Sequence, residues 1–265
     1  GHYGRRQVYV PREYQLGFEY WKGFECNHDY HDSGYYFNAD PTRRRWDGYD
    51  AFAQSRDAAA YIQAHARDPE PFLLLLSWGP PHFPLDTAPE RYRQLYAGRE
   101  IALRPNVPAA WRQTAQAELR GYYAHIAALD DAFAIVRDAV AAAGLDDRTL
   151  FVFTADHGDM RRSQGLGTKL FPWEESVRVP FLLRGPGLEA QQGTANHAPI
   201  DAPDIMPTLL GLCGLPVPPS VEGADWSRQI RGAAPLTGEE AALLIMPAEF
   251  TELCTHGLPA YRGLR

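Results

Sequence analysis

Residues 151–160, FVFTADHGDM, decide how this chain is read. Phe151, Val152 and Phe153 form an apolar, β-favouring run, as expected of a short buried strand. Asp156, His157 and Asp159 then fall within four positions, with Gly158 between them. Gly158 supplies a turn, but turning needs neither an imidazole nor two carboxylates. A carboxylate oxygen beside an imidazole nitrogen at a rigid strand end is a donor pair for a divalent cation. The alternative is an aspartate that caps the turn and a histidine bonded to backbone.

Working outward, the region 112–143 carries Leu119, Tyr122, Ile126, Leu129, Phe133, Val136 and Val140 at spacings of three and four, which predicts a long amphipathic helix. Gly144 is placed to stop it. Residues 51–67 are alanine-rich and predicted helical. PFLLLLSW (71–78) is a continuous apolar run behind a proline, as expected of a central strand buried on both faces. GPPHFPLD follows as a rigid loop. Strands are expected at 149–155, 179–187 and 241–250, and a helix at 201–216 with Asp201 near its N-cap and Gly214 ending it. Residues 1–50 read as loops and short strands. Strands alternating with helices imply a mostly parallel sheet covered on both faces, with ligands at the carboxyl ends of its strands.

Composition narrows the function classes. Of 265 residues, 45% are hydrophobic and 22% charged, the balance of a globular protein, and no apolar run approaches the ~20 residues of a membrane span. The formal net charge of −7 argues against nucleic acid, which asks for clustered Lys and Arg. The one basic cluster, RRRW at 43–46, reads as a solvated loop. Cys26, Cys213 and Cys254 are odd in number and far apart, which suggests neither a disulfide framework nor a C-x-x-C metal site. No segment identifies a compartment.

Beyond residue 160 a longer pattern appears: TADHGDM…GTKLFPWEESVRVPFLLRGPG, residues 154–187. In order and spacing it resembles the sulfatase family of the alkaline phosphatase superfamily. FLLLLSWGPPHFP, GYYAHIAALDDAFAIV and HAPIDAPDIMPTLLGLCGLPVPPSVEGADW are similar to three further family segments. The resemblance covers residues 71–232 well and 1–50 more weakly. It implies a three-layer α/β/α alkaline-phosphatase-like fold with a mostly parallel central sheet, here as one catalytic-domain fragment over residues 1–265. It also implies that Asp156 and His157 bind a divalent metal, calcium first, with magnesium or manganese as alternatives. By the same resemblance His82 and Lys169 contact the sulfate and form the catalytic pair. Taken alone, His82 would be a surface loop histidine and Lys169 a solvated charge. Glu174 and Glu175 match an acidic pair with a structural or supporting role, and Tyr122 and Tyr123 match core positions.

The family's nucleophile is a formylglycine made within C/S-x-P/A-x-R, and no cysteine or serine here opens such a motif. The paired aspartates of its first strand also have no counterpart before residue 29. The expectation is therefore a sulfatase fragment, cut short at both ends and inactive alone, whose open sheet edges promote oligomerisation. Its partner would be a small-molecule or carbohydrate sulfate ester, with no nucleic acid and no membrane. The alternatives are a phosphonate monoester or phosphodiester hydrolase of the same superfamily, and a non-catalytic anion-binding module. The segment DMRRSQG departs from the family's usual residues, which puts the arrangement of the Lys169 loop in question. If the family reading holds, His82 and Lys169 should point toward the space beside Asp156 and His157.

Overall fold

The computed structural model describes residues 9–23, 27–246 and 260–265. The chain divides into one unit of residues 1–146 with 161–165 and a second of 147–160 with 166–265. Cys26, Cys254 and the end of the strand expected at 241–250 lie outside the described residues.

The first unit opens with an antiparallel ribbon of β1 (Lys22–Gly23), β2 (Gly34–Phe37) and β3 (Asp40–Arg45). The arginines of the RRRW cluster therefore lie on an exposed strand rather than a loop. Arg44 pairs with Asp40 at 2.9 Å and Arg45 with Asp32 at 2.6 Å, while Trp46 stacks on Tyr35. Three helices follow: α1 (Asp50–His65), α2 (Glu90–Tyr96) and α3 (Arg112–Ala142), with α1 and α2 both packed on α3.

The bounds of α3 agree with the periodicity, and Leu129 and Val140 of the expected stripe are buried, but alanines carry the rest of the buried face. Ala124, Ala128 and Ala132, at four-residue spacing, are fully buried, whereas Ile126 of the expected stripe is exposed. Small side chains let α3 approach its neighbours closely, and Tyr30, Tyr49 and Tyr92 supply the core volume. The helix ends as expected at Gly144, whose φ is +68°. Leu145 N–H donates to Val140 O at 3.1 Å and Gly144 N–H to Ala141 O at 3.0 Å, a Schellman closure.

Residues 71–78 correct the reading of a buried central strand. Among the described residues they join no ladder, and Leu73 and Leu75 are 75% and 72% exposed while Leu74 and Leu76 are half-buried. Exposure alternates along the run, but a strand also needs a hydrogen-bonding neighbour, which an apolar run by itself does not guarantee.

In the second unit β4 (Phe151–Thr154) and β5 (Phe181–Arg184) pair antiparallel, in register from Phe151 with Arg184 to Thr154 with Phe181. The connection between them carries the four-residue helix α4 (Glu174–Val177). The other ladder, β6 (Leu243–Met246) with β7 (Tyr261–Leu264), is antiparallel too, so parallel pairing is not found among the described residues.

Helix α5 (Ala202–Leu212) starts at the predicted N-cap, Asp201. Its Asp204 is buried and accepts from Asp201 N–H (3.2 Å), Ala224 N–H (2.7 Å) and Trp226 Nε1–H (2.9 Å). Three donors on one carboxylate tie the helix start to the segment before α6 (Ser227–Ile230). Leu188, Leu212, Trp226 and Ile230 form the core beside it.

Candidate functional site

At the end of β4 the side chain of Asp156 stands 85% exposed, and His157 beside it is about one-third exposed. Asp156 Oδ1 accepts from His157 N–H at 3.0 Å. His157 Nδ1 lies 2.8 Å from Gly158 O, which can only accept, so Nδ1 carries the hydrogen. In the neutral ring Nε2 then keeps its lone pair, 3.4 Å from Asp156 Oδ2. One carboxylate oxygen and one imidazole lone pair thus share a small exposed space, a donor set that suits a divalent cation. Among the described residues no group of three or more His, Cys, Asp or Glu side chains is placed to hold a metal.

The backbone below this pair is fixed. Gly158 N–H donates to Ser176 O at 2.8 Å, and a Cβ on Gly158 would stand 2.2 Å from Glu175 O. Only glycine fits between the DHGD loop and α4. Glu175 therefore contributes its backbone to the loop. Glu174 faces Arg265 at 2.6 Å and Arg178 at 3.9 Å, the structural side of the expectation for the acidic pair.

Lys169 belongs to the same unit as Asp156 and His157 and is half-buried. Its segment is held at both ends: Met160 N–H donates to Thr168 O at 2.6 Å, and Phe171 N–H to Ser176 Oγ at 3.3 Å. Thr168 and Leu170, flanking it, both have positive φ, +61° and +80°. Non-glycine residues enter that region at a cost, and such conformations cluster at functional sites. The intervening residues 161–165 belong to the first unit. The Arg162 guanidinium meets both oxygens of Glu118 on α3 and lies 4.6 Å from the Trp111 ring centroid. Arg161 lies over Tyr122, which is half-buried on the helix surface rather than in the core. The two arginines anchor this stretch to α3.

His82 lies in the first unit, with its own surroundings. Its Nδ1 is 3.0 Å from Phe83 O, so by the same tautomer logic Nδ1 carries the hydrogen. The ring stacks on His28 at a centroid separation of 4.1 Å and an angle of 12°. Tyr30 O–H donates to His82 O at 2.9 Å. Burial pushes the neighbouring Asp50 carboxyl up to about 7 and His125 down to about 4, so both are uncharged over part of the neutral-to-acid range. His28, Tyr30 and His125 were not legible as site residues. The stretch NHDYHD (27–32) reads as an aromatic loop, and His125 sits inside a helix pattern that explains it as packing.

These elements belong to the alkaline-phosphatase-like α/β fold. The family model described as sulfatase matches residues 1–215, and the chain belongs to that family. An ulvan-active sulfatase of Formosa agariphila is 40% identical over 91% of this chain and 47% of its own length. An endo-4-O-sulfatase of Bacteroides thetaiotaomicron is 32% identical over 91% of this chain and 47% of its own. A structure from work on the metabolism of multiple glycosaminoglycans by Bacteroides thetaiotaomicron superposes with a TM-score of 0.84 and 28% identity, covering 97% of this chain and 55% of that one. The chain thus spans about half the length of the relatives it matches. No helix among the described residues is long and apolar enough to cross a membrane.

Proposed function

We propose that this chain is part of the catalytic domain of a sulfatase that hydrolyses sulfate esters of carbohydrates. Asp156 and His157 would hold a divalent cation, calcium first, with magnesium or manganese as alternatives. His82 and Lys169 would bind the sulfate. The observation that carries the reading is the His157 ring: its Nδ1–H bond to Gly158 O turns the Nε2 lone pair toward Asp156 Oδ2. The carbohydrate class is supported by the names of the two relatives, one active on ulvan and one an endo-4-O-sulfatase.

In hydrolysis the ester S–O bond breaks, the alcohol oxygen takes a proton, and the elements of water end on sulfur and on the leaving alcohol. The Lys169 ammonium offsets charge on the non-bridging oxygens, replacing the hydration they lose. His82, once its Nε2 is protonated, has the hydrogen that the leaving oxygen needs. A cation held by Asp156 and His157 would supply further electrostatic stabilisation of developing negative charge. A formylglycine nucleophile is implied by the family. Because none of the three cysteines here opens C-x-P/A-x-R, the chain alone is proposed to bind without turning over.

Calcium titration calorimetry tests the site. The expected result is binding in the ~millimolar range, since two protein ligands leave most coordination to water. Binding should vanish in a chain carrying both Asp156→Ala and His157→Ala. Micromolar binding that survives both changes would place the cation elsewhere. Metal-dependent release of 4-nitrophenol from its sulfate, lost in Lys169→Ala, would overturn the proposal that this chain does not turn over.

A further inference from the structure

We propose that Tyr30, His125 and Tyr49 are positioning residues for His82, which they serve by holding the three consecutive carbonyls of His82, Phe83 and Pro84. That His82 meets a sulfate group rests on the function proposed above; the clamp itself rests on geometry. Tyr30 O–H donates to His82 O at 2.9 Å and shares its hydrogen with Phe83 O at 3.3 Å. His125 Nε2 is 3.1 Å from Pro84 O, and His125 Nδ1 is 2.7 Å from the Tyr49 hydroxyl.

The directions of these bonds follow from what each group can do. A proline carbonyl only accepts, so His125 Nε2 carries the hydrogen. The neutral ring then offers its Nδ1 lone pair, and Tyr49 donates into it. The lowered His125 pKa keeps the ring in that neutral form near pH 7. The relay runs Tyr49 to His125 to Pro84, with one tautomer at its centre.

The packing leaves this loop little other placement. A Cβ on Gly121, one helical turn before His125 on α3, would stand 2.3 Å from Leu85 O. A Cβ on Gly79 would stand 2.7 Å from the Tyr30 ring. Both glycines let the loop lie directly against its clamp. Tyr30, Tyr49 and His125 are respectively 1%, 6% and 0% exposed. Apolar side chains would fill such a core without polar atoms to satisfy, so three buried polar groups spent on one loop indicate a demand for a fixed backbone. A fixed backbone is what sets the direction of the His82 ring, whose Nδ1 is bonded to the clamped Phe83 O.

The test reads the imidazole nitrogens of the whole chain by 15N–1H correlation NMR. His125 should show the Nε2–H tautomer. Tyr30→Phe keeps the ring and removes the donor, and His125→Gln keeps a donor near Pro84 O while removing the bond to Tyr49. In Tyr30→Phe the His82 Nδ1–H signal should shift or be lost to exchange, and His125→Gln should move it less. His65, paired with Asp68 on the surface, should be unchanged in both. Affinity for inorganic sulfate, followed at the His82 signals, should fall about fivefold in Tyr30→Phe, the loss of one hydrogen bond's ordering. A His82 ring spectrum identical to the parent in both variants overturns the clamp. Sulfate that leaves His82 unmoved in the parent chain would overturn the sulfate-binding role instead, since the ring signatures are read without ligand.

Discussion

The two loops that carry the candidate chemistry are built in opposite ways. The loop around His82 has its carbonyls satisfied by buried side chains from distant parts of the first unit. The DHGD loop has a backbone locked against α4, but its candidate side chains face solvent, Asp156 above all. The difference teaches what each group needs. In the proposed roles, a histidine that meets a substrate at a set angle has to be oriented by protein. Ligands of a hard cation are partly ordered by the cation, so an exposed carboxylate beside a fixed backbone is sufficient beforehand.

The largest effect should come from the backbone of the apparently open loop. Gly158→Ala drives a Cβ to 2.2 Å from Glu175 O, so either β4 or α4 must move. We expect a loss of ~3 kcal/mol in urea unfolding, together with the loss of calcium binding. A variant within error of the parent would show that the DHGD backbone is as adaptable as its side chains, and the contrast would have to be redrawn.

Acidity separates the loops next. The folded-state value of His125 is about 4 against 6.5 for the free group, so the unfolded chain takes up this proton first as pH falls. That group therefore costs stability on acidification from about 6.5 to 4. Asp50 runs the other way. Its folded value near 7 against 3.8 gives a contribution that is full below 3.8 and lost as pH rises through 7. In the parent chain the two slopes largely oppose each other. His125→Gln should leave a chain that weakens as pH rises from 4 to 7, and Asp50→Asn one that weakens as pH falls over the same range. Each change should be on the order of 3 kcal/mol across the window, measured by urea midpoints. Parallel pH profiles for the two variants would show that the His82 surroundings are wetter than their burial implies.

The smallest effect should be at Glu174. Its partners Arg265 and Arg178 are exposed, and such pairs contribute ~0–1 kcal/mol. Glu174→Ala should shift the urea midpoint slightly and leave calcium binding unchanged. A loss of binding would promote the acidic pair from scaffold to site.

Much of this was legible where a local rule decides. The bounds of α3, its Gly144 stop and the Asp201 cap follow from periodicity, positive φ and helix-start chemistry. Asp156 and His157 were legible because sequence neighbours at a strand end are also spatial neighbours. What escaped was nonlocal. Residues 71–78 have the composition of a strand, but pairing depends on a partner that composition does not contain. The α3 stripe was assigned to its large side chains, of which Leu129 and Val140 are buried, whereas close helix contact added Ala124, Ala128 and Ala132 and left Ile126 exposed. The His82 clamp joins Tyr30 and His125, 95 positions apart in the chain, through carbonyls that every residue possesses. Arg161 and Arg162 looked like a broken motif because their partners, Tyr122 and Glu118, lie one long helix earlier.

Residues 71–78 also bear on how the chain survives among other proteins. Proteases bind their substrates as extended strands, pairing with backbone groups that a folded sheet normally withholds. Here Phe72, Leu73 and Leu75 present apolar side chains from a backbone that joins no ladder among the described residues. Cutting there asks for little of the unfolding that protects α3 or the core of tyrosines. Limited proteolysis of the chain should therefore cut first within this segment, and a first cut inside α3 would show that the segment is protected.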